Sequence, residues 1–99
     1  MVCKIKWIHY SSITYFNEID FIFLKWNQKE TEKFIFLVDE NLKRIALNPY
    51  IAKPINSVYK IVISKQTTLY YKVSESDKRI DLLVFWNNLK NPSDLIKLL

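Results

Sequence analysis

The chain has 99 residues, 49% of them hydrophobic and 15% aromatic, which is the length of one domain with enough apolar side chain for a core and excludes a disordered chain. It carries 15 Lys+Arg against 10 Asp+Glu, a net charge of +5, and that balance favours an anionic partner: nucleic acid, an acidic protein segment or a membrane surface. Glycine is absent and Cys3 is the one cysteine, so a glycine-rich phosphate cradle, an internal disulfide and a multi-cysteine zinc cluster are all excluded.

The first ten residues, MVCKIKWIHY, contain no long apolar run, so no signal peptide is expected there. Cys3 to Tyr10 alternates Cys3, Ile5 and Trp7 against Lys4, Lys6 and Ile8, the period of a strand. Cys3 in this apolar setting reads as core, and a lone cysteine suits a reducing compartment and a cytoplasmic location. Ser11-Ser12 offers a helix N-cap. Ile13, Phe16, Ile19, Phe23 and Trp26 then recur every three or four residues, predicting an amphipathic helix over 12–26 with that stripe facing the core.

Asn27-Gln28 is a short break, and a second helix is expected over 29–47 with Phe34, Leu37, Val38, Leu42 and Ile45 as its stripe. Asn48-Pro49 ends it, because the residue before a proline avoids the helical region. So short a connection makes the two helices an antiparallel hairpin. Glu40 and Arg44 have the spacing of a surface ion pair. Residues 48–56, NPYIAKPIN, read as a loop with two prolines. Strands are expected over 58–64, 68–74 and 79–86, joined by short polar turns into an antiparallel meander. Asn91-Pro92-Ser93 begins a last helical turn. The expected fold class is a two-layer α+β domain, β-α-α-β-β-β, with the helix hairpin on one face of an antiparallel sheet.

Alternation assigns faces. Tyr59, Ile61, Ile63, Leu69, Tyr71 and Val73 should face the helices, with Ile80, Leu82, Val84 and Trp86 in one row of the last strand. Lys60, Val62, Tyr70, Lys72, Leu83 and Phe85 then fall on the other face, a mixed basic, apolar and aromatic surface of the kind that marks a partner site. His9 is the only histidine and has no accompanying nucleophile or carboxylate motif, so it reads as a strand-end residue. No metal cluster and no cofactor is expected. The aromatics Tyr15, Phe16, Phe21, Phe23 and Trp26 read as core rather than as a base-stacking platform, and Phe21 and Phe36 are candidates for a second contact surface on the hairpin.

The element order, Trp7 in the first strand, NPYIAKPI after the hairpin, VYKIVISKQTTLYYKV and RIDLLVFWNNLKNPSDL near the end together resemble the RelE/ParE superfamily of bacterial type II toxins. The resemblance covers almost the whole chain and lies in apolar spacing. It implies one of two activities. RelE-like members cut mRNA on the ribosome with a basic sheet face, which holds the phosphate, activates the ribose hydroxyl and protonates the leaving oxygen. ParE-like members share the fold, lack that basic set and poison DNA gyrase. An antitoxin whose C-terminal segment wraps the toxin silences both.

Carried over residue by residue, Lys60 stands where one RelE lysine stands. The next basic position falls on Val62, the arginine of the following strand near Thr68, and the last arginine at about Leu89 with Lys90 beside it. The family's terminal tyrosine finds no counterpart in Lys97-Leu98-Leu99, and Ala52 replaces a glycine. Val62 and Leu89 cannot hold a phosphate, so the pattern tilts towards ParE. The expectation is a cytoplasmic, growth-inhibiting toxin, ParE-like, with no membrane association. An antitoxin should cover Lys60, Val62, Lys65, Tyr70, Lys72, Leu83 and Phe85, and the assembly should be a homodimer or a toxin–antitoxin hetero-oligomer. The alternative is a RelE-like ribosome-dependent endonuclease using Lys60, Lys90 and Lys65. A non-toxic relic or plain binding module of the same fold is the third reading.

Overall fold

A computed structural model describes residues 2–98. The chain runs β1 (Lys4–Trp7), α1 (His9–Lys25), α2 (Gln28–Leu47), β2 (Lys53–Ile55), β3 (Val58–Val62), β4 (Thr67–Ser74), β5 (Arg79–Asn87) and α3 (Pro92–Leu98). The strands form one sheet in the order β1-β5-β4-β3-β2. The meander is antiparallel as expected. β1 pairs with β5 in parallel, from Lys4↔Arg79 to Trp7↔Leu82, so the sheet is mixed. A parallel neighbour needs a long crossover, and here the two helices and the meander supply it.

Two short features escaped the sequence reading. β2 pairs with β3 despite Pro54; it is an edge strand, where a missing N–H is tolerated. Asn56 and Ser57 join β2 to β3 with φ of 49° and 72°, the left-handed pair of a tight hairpin turn, made without the glycine that such turns favour. α1 also starts earlier than expected. Ser11 lies inside the helix and its hydroxyl donates to the Ile8 carbonyl at 2.7 Å, while Ile8 at the N-cap has no side-chain cap. Asn27, read as a break, is the cap of α2: its Oδ1 accepts from the Glu30 N–H at 2.9 Å. Glu40 pairs with Lys43 at 3.9 Å rather than with Arg44, whose guanidinium donates to Asn41 Oδ1.

The larger correction concerns α1. Ile13, Phe16, Phe23 and Trp26 are exposed rather than core. The face turned to the sheet is Ser11, Thr14, Glu18 and Ile22. Small hydroxyl side chains let the helix lie close to β5, and backbone groups satisfy them: Thr14 Oγ1 donates to the Ser11 carbonyl at 3.0 Å and accepts from the Phe85 N–H at 2.9 Å. Apolar periodicity located a helix but pointed to the wrong side of it.

The core between helices and sheet contains Ile22, Phe34, Val38, Ile45, Ile61, Leu69, Tyr71, Ile80, Leu82 and Phe85, with Cys3 packed against it. Tyr71 is fully buried, stacks on Tyr59 at 5.5 Å and donates to the Pro49 carbonyl at 2.8 Å; burial pushes its hydroxyl up to about 12. A second, smaller cluster of Val84, Trp86 and Leu95 lies on the other sheet face, beneath α3.

Candidate functional site

β5 decides what the open sheet face contains. Tyr70 pairs with Val84, but Tyr71 pairs with Leu82, and the register shift between them leaves Leu83 as an extra residue in β5. A bulge of this kind reverses the alternation beyond it. Ile80 and Leu82 face the helices as expected. After the bulge, Phe85 turns inward and Val84 and Trp86 turn outward. Phe85 is therefore 2% exposed and stacks on Trp7 at 5.4 Å, so its expected place on the partner face is corrected. Strict alternation was the wrong rule for this strand.

Five of the remaining residues keep to the open side. Lys60 and Val62 of β3 are exposed, Val62 by 64%. Lys72 of β4 is exposed and lies opposite Asp81 in the register. Tyr70 and Leu83 are half-buried because they pack against the cluster that α3 caps with Leu95. Tyr70 sits between Lys60 on one side and Val84 on the other. Lys65 belongs to the β3–β4 turn, where it is exposed and lines a groove of about 570 Å³ with Ile22, Trp26, Lys33 and Phe34.

Lys90 lies over the Trp86 ring at 5.6 Å, a cation–π contact that ties it to the far end of β5. Arg79 is held by Asp81 at 2.7 Å and Asp77 at 3.2 Å. Leu89, at the expected arginine position, is 68% exposed, and Thr68 is buried with its hydroxyl on Asn88 Oδ1 at 3.0 Å. Cleavage of RNA requires cations, a base and an acid around one phosphate. On this face Lys60 lies opposite Tyr70, diagonal to Lys72, and among the described residues neither lysine forms an ion pair. His9 is at the start of α1, exposed. Among the described residues, no group of three or more His, Cys, Asp or Glu is placed to hold a metal, and no helix is long and apolar enough to cross a membrane.

A buried polar site escaped the sequence reading. Glu18, 4% exposed, reaches from α1 to the end of the sheet. The Thr67 hydroxyl donates to its Oε1 at 2.6 Å and the Asn87 amide to its Oε2 at 3.0 Å. Burial pushes its carboxyl above the ordinary 4.5, against the pull of those two hydrogen bonds and of Lys90. Asn87 Oδ1 in turn accepts from the Leu89 N–H at 2.9 Å. The carboxyl is thus out of reach of a substrate and organises the step from β5 towards α3. The signal in the sequence was the helical spacing of Ser11, Thr14 and Glu18, one polar face that ends at Ile22.

No family model matches the chain, and no curated protein does. Solved structures do. A chain of the chromosomal ParDE TA system from P. aeruginosa aligns with a TM-score of 0.71 at 14% identity, over 87% of this chain and 96% of that one. The YoeB/ParE toxin from Agrobacterium tumefaciens aligns with a TM-score of 0.63 at 14% identity, over 85% and 96%. At that identity the likeness is one of fold: the chain shares the fold of these two structures across nearly all of its length.

Proposed function

We propose that this protein is the toxin of a type II toxin–antitoxin pair, ParE-like, which acts in the cytoplasm by binding a cellular target and is neutralised by its own antitoxin. The observation that carries the reading is the open sheet face. It keeps an exposed strip of Lys60, Val62 and Lys72, with apolar Val62 and exposed Leu89 where the nuclease pattern has cations. Such a strip suits protein–protein contact, with acidic and apolar side chains arriving from the partner. The fold shared with a ParDE system and a YoeB/ParE toxin supports the toxin class; DNA gyrase is the target that the ParE-like side implies. The second reading, a RelE-like endonuclease, is favoured by Lys60 and Lys90 sharing one sheet face.

Two assays separate them. The purified chain is added to gyrase supercoiling reactions and to a translating extract whose mRNA 5′ ends are mapped. The expected result is loss of supercoiling, relieved in a Lys60→Glu, Lys72→Glu double variant, with no new mRNA ends. Codon-phased ends that vanish in Lys60→Ala would establish the nuclease instead. Inactivity in both assays would leave a binding module of the same fold.

A further inference from the structure

The outer side of α1 is apolar where a solvent-facing helix is ordinarily polar. Ile13, Phe16, Phe23 and Leu24 are 41%, 61%, 54% and 82% exposed. Helical spacing puts them on one face with Asn17 and Asp20, away from the Ser11, Thr14, Glu18 and Ile22 side that meets the sheet. Large side chains of this kind present about 150–250 Å² when free, so the four expose on the order of 450 Å² together. That is the size of a functional patch rather than of scattered surface residues.

We infer that the occupant of this face is a second copy of the same chain, in a two-fold antiparallel α1–α1 pairing. The residues are arranged so that the stripe complements itself. About a midpoint between Glu18 and Ile19, Ile13 falls opposite the second copy's Leu24, and Asn17 opposite the second copy's Asp20. Phe16 and Phe23 share one flank. Antiparallel pairing brings like flanks together and places Phe16 within two residues, ~3 Å of helix rise, of the second copy's Phe23. Each contact occurs twice, as an isologous interface requires.

Charge points the same way. Two copies of a chain with net charge +5 repel, yet from Tyr10 to Leu24 the sequence has no lysine or arginine. Asp20, in the middle of the apolar stripe, forms no ion pair among the described residues. An Asn17 amide from the second copy would supply the donor that a carboxylate enclosed by apolar side chains needs. Closing two such faces, with Asn17, Asp20 and their rims, removes about 1,200 Å² of surface, the lower end of a specific interface. The pairing stands independently of the toxin reading and leaves the open sheet face free.

Sedimentation velocity of the purified chain, from about 1 to about 100 µM, tests it, with a dimer of roughly micromolar Kd expected. Phe16→Glu should leave a monomer, and because Phe16 is exposed its melting curve should match that of the wild type at concentrations well below the dimer Kd. Asn17→Asp places two pairs of carboxylates face to face and should weaken the dimer by about tenfold or more; Asn17→Lys should tighten it by up to about tenfold. Wild-type chain that stays monomeric at the top of this range would overturn the inference and leave the stripe to another occupant, such as an antitoxin helix. A dimer indifferent to both the Phe16 and Asn17 changes would also overturn it, by placing the contact elsewhere.

Discussion

Glu18 shows how much one side chain can set. Its two oxygens hold Thr67 of β4 and Asn87 of β5, paired residues at one end of the sheet. Glu18→Leu would leave a buried hydroxyl and a buried amide without their acceptor, and should cost about 3 kcal/mol by urea unfolding. Glu18→Gln keeps one acceptor and should cost about 1 kcal/mol near neutral pH. The pH dependence has a definite sign. The folded chain raises this carboxyl above its ordinary 4.5, so it holds the proton more tightly than the unfolded chain does. That contribution is complete below 4.5 and is lost as pH rises through the folded value. Acidifying from neutrality towards that limit should therefore improve the wild type relative to Glu18→Gln, and a comparison of melting temperatures across the range checks it. The opposite trend would mean that Lys90 stabilises the charged form more than burial opposes it. Sequence alone left Glu18 unmarked, because a glutamate on a helix is ordinarily solvated and its two donors lie far along the chain.

At the scale of elements, the bulge at Leu83 and the inner face of α1 account for most of what the sequence concealed. Strand count and helix count were legible from period, and the meander from its short polar turns. The faces of α1 and of the second half of β5 were not. Their assignment depends on a one-residue insertion in pairing and on a helix that docks by hydroxyl groups, and neither leaves a trace in apolar spacing. The bulge can be tested by removing Leu83. Deletion would leave Tyr71 opposite Leu82 and Tyr70 opposite Val84 in plain alternation, with Phe85 still inward and Trp86 still outward. We expect a native-like near-ultraviolet dichroism spectrum and a loss of about 1–2 kcal/mol by urea titration, from the lost packing of Leu83 on the outer cluster; loss of the near-ultraviolet signal would show that the extra residue itself holds Phe85 in place. The β2–β3 hairpin gives a prediction of the opposite sign. Ser57 holds φ at 72° without being glycine. Ser57→Gly should relieve that backbone and raise stability by about 0.5–1 kcal/mol, visible as a higher melting temperature.

For the whole molecule, the candidate site was partly legible. Lys60, Val62 and Lys72 stand where alternation placed them, because β3 and β4 pair without interruption between Tyr59 and Val62. Tyr70 and Leu83 are shared with the patch under α3, and Phe85 was lost to the bulge. Among the described residues, α3 is anchored by Leu95 on Val84 and Trp86, while Ile96 is 75% exposed. Its amides should accordingly exchange with solvent much faster than those of β4 and β5. Leu95→Asp should release α3 and increase binding of a hydrophobic dye at Trp86, with the central sheet still protected. Uniform exchange across the chain would instead show α3 to be part of the same cooperative unit.

The parallel pairing of β1 with β5 also sets an order of assembly. Lys4 to Trp7 are made before both helices and most of the meander, and their partners, Arg79 to Leu82, after them. The N-terminal strand must wait through the synthesis of both helices and the meander before it has anything to bond. A pairing this distant in sequence closes slowly. During translation the helix hairpin and the β2–β4 strands can form early, but the sheet acquires its last neighbour only after β5 has emerged, so the completed surface appears late and at once rather than growing with the chain.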